Sequence, residues 1–123
     1  MHTTLGIVAI VEDDAAMRRS LERLLQAHNY ATVTFASAEE FLASAIVDSA
    51  IGLVLDIHLE GMSGIELRRR LSAAKPMLPV VFITAYDDEA TRREALAAGC
   101  VDYLQKPFDA SRLIESLERG RAP

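Results

Sequence analysis

Five short segments rich in Val, Ile and Leu, separated by segments with helical spacing of apolar residues, constrain the fold of this chain more than any other feature. Most are continuous apolar runs, which is typical of strands that are covered on both faces of a sheet. The segment at residues 31–35 is more polar and is therefore predicted at a sheet edge. We predict strands at residues 5–11, 31–35, 53–56, 78–84 and 100–105.

Each predicted strand is followed by a helical pattern with its own start or stop signal. Asp14 and Ser37 are predicted N-caps, and Ser37 with Glu40 forms a capping box. Asn29 and Gly99 are typical of helix C-termini. We predict helices at residues 14–28, 37–45, 65–75, 89–98 and 109–119, with Arg68, Arg69 and Arg70 mostly solvated and residues 48–52 forming a turn.

Strict alternation of strand and helix with short connections predicts a parallel sheet with helices on both faces and right-handed crossovers. If the polar second strand lies at an edge, the strand order is 2-1-3-4-5. Ligands of such doubly wound folds bind beyond the carboxyl ends of the strands, where the strand order reverses. Here the reversal falls between the first and third strands.

The composition limits the kind of protein. A chain of 123 residues, half of it apolar, suits one domain with a single core. The single Cys100 excludes an internal disulfide, and no apolar run has the length of a membrane span. A net charge of −5 disfavours direct contact with nucleic acid. We expect a cytoplasmic protein with no membrane contact, its domain at residues 1–119, followed by a tail or linker at 120–123.

Four of the five strands end in chemically useful groups, which parallel strands bring to one edge of the sheet. Glu12 and Asp13 follow the first strand, Asp56 ends the third, Thr84 ends the fourth and Lys106 follows the fifth. Each has an ordinary structural explanation, such as a helix cap or a surface lysine. Their convergence favours a functional site instead.

Three carboxylates at one sheet edge require a cation. Two like charges about 4 Å apart repel by roughly 4 kcal/mol at an effective dielectric constant of about 20. Oxygen ligands of this kind suit Mg²⁺, with Mn²⁺ as an alternative, and the three histidines show no zinc spacing. The metal would make Asp56 a usable acceptor of phosphoryl groups, Lys106 would be a second cation, and Thr84 would donate to a phosphoryl oxygen.

Three sequence segments carry a family resemblance: IVEDD at residues 10–14, LVLDIHLEGMSGIEL at 53–67 and VVFITAYDDEATRREALAAGCVDYLQKPF at 80–108. Over residues 7–117 the chain resembles the receiver domain of two-component response regulators. The last segment is most similar to regulators of the nitrogen-fixation type, in which a LuxR-like DNA-binding output domain follows the receiver. The resemblance implies a flavodoxin-like (βα)5 fold.

The resemblance also implies roles for individual residues. Asp56 would be phosphorylated by a sensor histidine kinase. Glu12, Asp13 and the backbone carbonyl of His58 would hold Mg²⁺ together with Asp56. Glu12 stands where many relatives have aspartate, a change that should leave metal binding intact through a water molecule.

Signal output is implied as well. Thr84 would be the switch hydroxyl and Lys106 would pair with the phosphoryl group. Tyr103 would turn inward on phosphorylation, reshaping the surface of the fourth helix, fifth strand and fifth helix, which would control dimerisation or an output domain. The Lys106–Pro107 peptide bond is expected to be cis.

Other classes of protein fit the sequence less well. A magnesium-dependent phosphohydrolase with an aspartyl nucleophile usually has a second Asp where this chain has His58, and it needs a substrate cap. Flavin binding is disfavoured because Glu12, Asp13 and Asp14 would repel the flavin phosphate. A module that binds partners without phosphorylation would not need the full set of Asp56, Thr84 and Lys106.

Overall fold

A computed structural model of the chain describes residues 4–121, and the remaining residues at the two ends lie outside the described part. The model has one five-stranded parallel sheet of order β2-β1-β3-β4-β5, which confirms the predicted fold and strand order. The strands are β1 (Ile7–Val11), β2 (Ala31–Phe35), β3 (Ala50–Asp56), β4 (Val80–Thr84) and β5 (Asp102–Gln105). The helices are α1 (Ala15–Ala27), α2 (Ala38–Ala43), α3 (Gly64–Ala74), α4 (Glu89–Ala98) and α5 (Ala110–Arg121), with a short 3₁₀ helix at Ile46–Asp48.

Helices cover both faces of the sheet because the central strands are apolar on both faces. One core cluster joins β-strand side chains to α1 and α5, and it includes Leu21, Leu25 and Leu113. The other lies under α2, α3 and α4 and includes Phe41 and Leu67. The polar strand β2 lies at an edge, as its sequence predicted.

Several predicted helix boundaries are confirmed by the geometry of their caps. The Asp14 side chain accepts a hydrogen bond from Met17 N at 2.8 Å, and Ser37 caps α2. Asn29 adopts a positive φ of 73° and Gly99 one of 97°. These residues stop α1 and α4 in the way that left-handed backbone does at helix ends.

Other boundaries differ from the prediction. β3 begins at Ala50, so residues 50–52 of the predicted turn at residues 48–52 are strand, because Ala50 pairs with Ile7 across the sheet. α2 ends at Ala43, not at residue 45, because the Ser44 hydroxyl donates to Phe41 O at 2.7 Å and closes the helix.

The last two strands and the last helix also differ in length. β4 begins at residue 80 and β5 at residue 102, two residues later than predicted in each case. α5 extends to Arg121, so Gly120 and Arg121 belong to the helix and not to a tail. A Cβ on Gly120 would lie 2.7 Å from Pro79 Cβ, so glycine lets α5 pass close to the start of β4. Residues 122–123 of the predicted tail lie outside the described part.

Arg68 contradicts the prediction of a solvated arginine. It is 6% exposed, and its guanidinium donates to Gly99 O at 2.8 Å and to Pro76 O at 3.3 Å. The prediction grouped Arg68 with Arg69 and Arg70, although Arg68 lies three residues after Ile65 and three before Leu71, on the buried face of α3. Its long side chain reaches the ends of α3 and α4, where helix carbonyls lack partners.

Candidate functional site

The sheet brings three carboxylates together at the carboxyl ends of β1 and β3. Val11, the last residue of β1, is paired with Leu55, so Glu12 and Asp13 follow β1 beside Asp56 at the end of β3. One carboxylate oxygen from each acid lies within 4.8 Å of the others. We call Glu12, Asp13 and Asp56 the carboxylate cluster.

Lys106 contacts two members of the carboxylate cluster. Its Nζ lies 2.6 Å from Glu12 Oε1 and 3.5 Å from Asp56 Oδ2. The backbone holds it there, since Lys106 N donates to Thr84 O at 2.7 Å. Side chains from the ends of three different strands therefore meet around the Lys106 ammonium, as the sequence predicted.

Burial sets the electrostatics of this contact. The Glu12 side chain is 1% exposed, and this burial raises its pKa to about 7, although the hydrogen bond from Lys106 opposes the rise. Burial alone would lower the pKa of Lys106, but hydrogen bonding to Glu12 and the charge of Asp56 outweigh it, so the pKa of Lys106 is raised. The cluster therefore holds more negative charge than its surroundings stabilise.

Backbone groups fix the orientation of the acids. Asp56 Oδ1 accepts from His58 N at 3.1 Å, and Glu12 Oε2 accepts from Asp14 N at 3.2 Å. Gly64 is required nearby because a Cβ there would lie 2.2 Å from the Asp56 carbonyl oxygen. Asp56 is thus held rigidly, with its side chain 6% exposed.

Arg18 also supports the site, and sequence reasoning assigned it no role there. Its Nη1 donates to Glu12 O at 2.8 Å and lies 3.5 Å from Asp13 O. The sequence contains a signal for this role. Arg18 lies one turn after the start of the helix that follows the acidic pair, so its long side chain can reach back to the loop.

Thr84 lies at the same edge but its hydroxyl is engaged with its own loop. The side chain is buried, Oγ1 donates to Tyr86 O at 2.8 Å, and Oγ1 accepts from Tyr86 N at 3.1 Å. The Tyr86 ring in turn packs edge-on against the His58 ring, with the centroids 5.4 Å apart.

Tyr103 lies on β5 and contacts α4. Its hydroxyl oxygen is buried, and Arg92 of α4 lies over its ring at 5.3 Å from the centroid. Burial, followed by the charge of Asp87, raises the pKa of the phenol. The ring therefore lies inward in this structure. The Lys106–Pro107 bond is cis, as expected.

The donor set of the cluster fits a hard divalent cation. Ligand oxygens around an octahedral Mg²⁺ lie about 3 to 4 Å apart, given Mg–O distances of about 2.1 Å. The three carboxylate oxygens lie within 4.8 Å of one another, so small side-chain movements, or a bridging water at Glu12, would complete such an arrangement.

The fold and this site define a class of protein. The family model of the response regulator receiver domain matches residues 8–118, so the chain belongs to the response regulator receiver domain family. Receiver domains are regulatory domains that act as phosphorylation-dependent switches in two-component signalling. The chain therefore belongs to this functional class.

Several curated relatives are named as transcriptional regulators. The chain is 38% identical over 115 residues to nodulation protein W of Bradyrhizobium diazoefficiens, covering 94% of this chain and 51% of that protein. It is 37% identical over 117 residues to transcriptional regulatory protein FixJ of the same species, covering 94% of this chain and 57% of that protein. The chain thus spans about half the length of these relatives.

Solved structures agree with this assignment. Full-length FixJ from B. japonicum matches with a TM-score of 0.85 at 35% identity, covering 96% of this chain and 58% of that chain. FixJ-N matches with a TM-score of 0.84 at 38% identity, covering 94% and 93% of the two chains. Among residues 4–121, no helix is both long and apolar enough to span a membrane.

Proposed function

We propose that Asp56 accepts a phosphoryl group from the phosphohistidine of a sensor histidine kinase. The observation that carries this proposal is the environment of its carboxylate. Oδ1 is held by the His58 amide while Oδ2 lies 3.5 Å from the Lys106 ammonium, and two further acids stand beside it. A nucleophile held in place with a cation nearby is what phosphoryl transfer requires.

Asp56 and Lys106 have separate roles in the transfer. An Asp56 oxygen forms a bond to phosphorus as the P–N bond of the donor breaks, and the electron pair of that bond returns to the donor imidazole. Lys106 stays within reach of the new phosphoryl oxygens and balances their charge. The chain acts on its own Asp56 and has no role as an enzyme toward other substrates.

Glu12, Asp13, Asp56 and the backbone carbonyl of His58 would hold Mg²⁺, with Mn²⁺ as a substitute. When bound, the metal neutralises charge on the phosphoryl oxygens as the loose transition state forms. Burial raises the pKa of Glu12, so a positive charge nearby would favour the ionised form of its carboxylate.

Thr84 and Tyr103 would carry the signal away from Asp56. The Thr84 hydroxyl would leave Tyr86 for the phosphoryl group, and the inward arrangement of Tyr103 against α4 would become the dominant one. The change is a shift between two arrangements, limited by the difference in phosphoryl contacts that each allows. The surface formed by α4, β5 and α5 would then dimerise or regulate an output domain.

The partners follow from the class of protein. The whole protein would be a cytoplasmic transcriptional regulator, as the similarity to transcriptional regulatory protein FixJ supports. A DNA-binding output domain of the LuxR type would follow the receiver. The receiver itself would contact neither nucleic acid nor a membrane.

A mass measurement tests the proposal. The protein is incubated with Mg²⁺ and acetyl phosphate, and its intact mass is then measured by mass spectrometry. We expect wild type to gain the mass of one phosphoryl group, Asp56→Asn to gain none, and the control Asp48→Asn, before the amino end of β3, to behave as wild type. An adduct on Asp56→Asn, or none on wild type, contradicts the proposal.

The same samples separate the remaining alternatives. A phosphohydrolase would turn over a phosphate ester at a steady rate with no lasting adduct. An interaction module without phosphorylation would give neither an adduct nor turnover.

A further inference from the structure

The loop that follows Asp56 is fixed by the backbone at both of its ends. At its start, Ile57 N donates to Ile83 O at 3.0 Å on the neighbouring strand. At its end, Gly64 N donates back to Ile57 O at 3.0 Å, which closes the loop on itself. The segment between them, residues 58–63, is held by other means.

The middle of this loop is held by a side chain from α2. Glu39 Oε2 accepts from Met62 N at 2.9 Å, across 23 positions of sequence. The same bond is the main reason that the pKa of Glu39 is lowered. Gly61 has a positive φ of 77°, and a Cβ there would lie 2.5 Å from Glu39 Oε2. The positive φ favours glycine here, and a Cβ at this position would displace the Glu39 carboxylate.

The neighbouring Glu40 shows what an ordinary cap in this helix does. Its Oε2 accepts from Ala36 N at 3.0 Å, a local bond to the residue before the N-cap. Glu39 stands in the same first turn but makes its bond to a different element. Helix capping accounts for Glu40 and leaves the long-range bond of Glu39 unexplained.

We propose that Glu39 is a positioning residue that holds the loop after Asp56, and with it the backbone of His58, in the geometry that binds the divalent cation. This inference rests on the proposed metal site. Glu39 touches neither the metal nor the phosphoryl group, and it acts through the Gly61–Met62 peptide. Residues outside a metal's ligand set commonly tune its affinity in this way.

Three variants test the proposal. Glu39→Ala removes the acceptor. Glu39→Gln keeps an oxygen that can accept from Met62 N but removes the charge. Glu40→Ala is the matched control, since it removes a charge and a hydrogen bond from the same turn without touching the loop. Mg²⁺ affinity is measured for each by calorimetric titration, and folding stability by urea unfolding in EDTA.

We expect Glu39→Ala to weaken Mg²⁺ affinity by about twofold to tenfold, the range that corresponds to one net hydrogen bond. Glu39→Gln should bind Mg²⁺ nearly as wild type does, and Glu40→Ala should lose stability without losing affinity. Equal affinity of Glu39→Ala and wild type overturns the proposal. Equal weakening by Glu39→Ala and Glu39→Gln also overturns it, because charge and not position would then be responsible.

Hydrogen exchange of the Met62 amide provides a second readout. Exchange should be severalfold faster in Glu39→Ala than in Glu40→Ala. Equal rates would mean that the Glu39 side chain does not hold the Met62 amide. Failure of wild type to bind Mg²⁺ would contradict the proposed metal site, so failure of the two proposals can be told apart.

Discussion

Two groups of partly buried charge lie on the same sheet, and they are balanced in opposite ways. The carboxylate cluster at the ends of β1 and β3 sets three acids against the ammonium of Lys106. A second group on β5 and α5 sets one acid against two arginines and a hydroxyl, and we call it the Asp102 cluster: Asp102, Arg112, Ser116 and Arg119.

The Asp102 cluster is satisfied within the chain. Asp102 accepts from Ser116 Oγ at 2.7 Å and from Tyr103 N at 2.8 Å, and both arginines lie at 3.4 Å. The carboxylate cluster lacks this surplus of donors. The comparison shows that the ratio of cations to acids separates a structural ion pair from a site that needs a cation from solution.

Removal of Lys106 should have the largest effect on stability. Lys106→Ala leaves three acids without their nearby ammonium, and we expect the free energy of unfolding in EDTA to fall by about 2 kcal/mol. Saturating Mg²⁺ should restore most of the loss, because it supplies the missing positive charge. Urea unfolding with and without Mg²⁺ measures both. An unchanged midpoint in EDTA would show that the cluster is already balanced.

Neutralising one acid in each cluster should change stability in opposite directions. In EDTA, Asp13→Asn should raise the free energy of unfolding by about 1 kcal/mol, since it relieves repulsion. Asp102→Asn should lower it by about 1 kcal/mol, since it weakens hydrogen bonds to a charged acceptor. Thermal unfolding measures both, and Asp13→Asn should also abolish the rise in Tm that Mg²⁺ causes. Changes of the same sign would remove the contrast between the clusters.

The two clusters should also respond oppositely to pH. Burial works to raise the pKa of Asp102, but hydrogen bonds from Ser116, Tyr103 and Arg112 outweigh it and the pKa is lowered. Its stabilising contribution is present above its unfolded pKa of about 3.9 and is lost as pH falls through the lower folded value. The stabilities of wild type and Asp102→Asn should therefore converge in acid.

For Glu12 the sign is reversed. Its pKa rises from 4.5 to about 7 on folding, so its favourable contribution is complete below pH 4.5 and is lost as pH rises through 7. In EDTA, wild type should lose stability over this range relative to Glu12→Gln. Urea unfolding at closely spaced pH values measures both pH dependences. If the free energy of unfolding of wild type ran parallel to that of Asp102→Asn or of Glu12→Gln over the whole pH range, the prediction for that residue would be wrong.

The sequence allowed most of the fold and the residues of the site to be predicted, for a local reason. Asp56 and Thr84 end apolar runs, and Glu12 directly follows one, so a correct parallel topology brings them to one edge. The cis Pro107 bond was expected only from the family resemblance, since nothing local distinguishes it.

Contacts made away from the strand ends could not be predicted in the same way. Glu39 and Met62 are 23 positions apart, and no periodic pattern relates them. Arg68 shares its sequence context with two exposed arginines, yet it alone of the three is buried, because it reaches carbonyls at two helix ends. For Glu39, the direction of the side chain in three dimensions decides the contact, and a one-dimensional pattern does not record it. For Arg68, the three-residue spacing from Ile65 and from Leu71 did indicate the buried face of α3.

The smallest predicted effect is that of Arg119→Ala, and it tests the difference between the two clusters most directly. Arg119→Ala removes one positive charge, as Lys106→Ala does, but the Arg119 side chain is 58% exposed and Arg112 still pairs with Asp102. We expect a loss of about 0.5 kcal/mol or less, reduced further at high salt, because exposed ion pairs are weak and screened. Urea unfolding at low and high ionic strength measures it. A loss as large as that of Lys106→Ala would mean that the Asp102 cluster has no surplus of cations, and the number of cations per acid would then no longer distinguish the two regions.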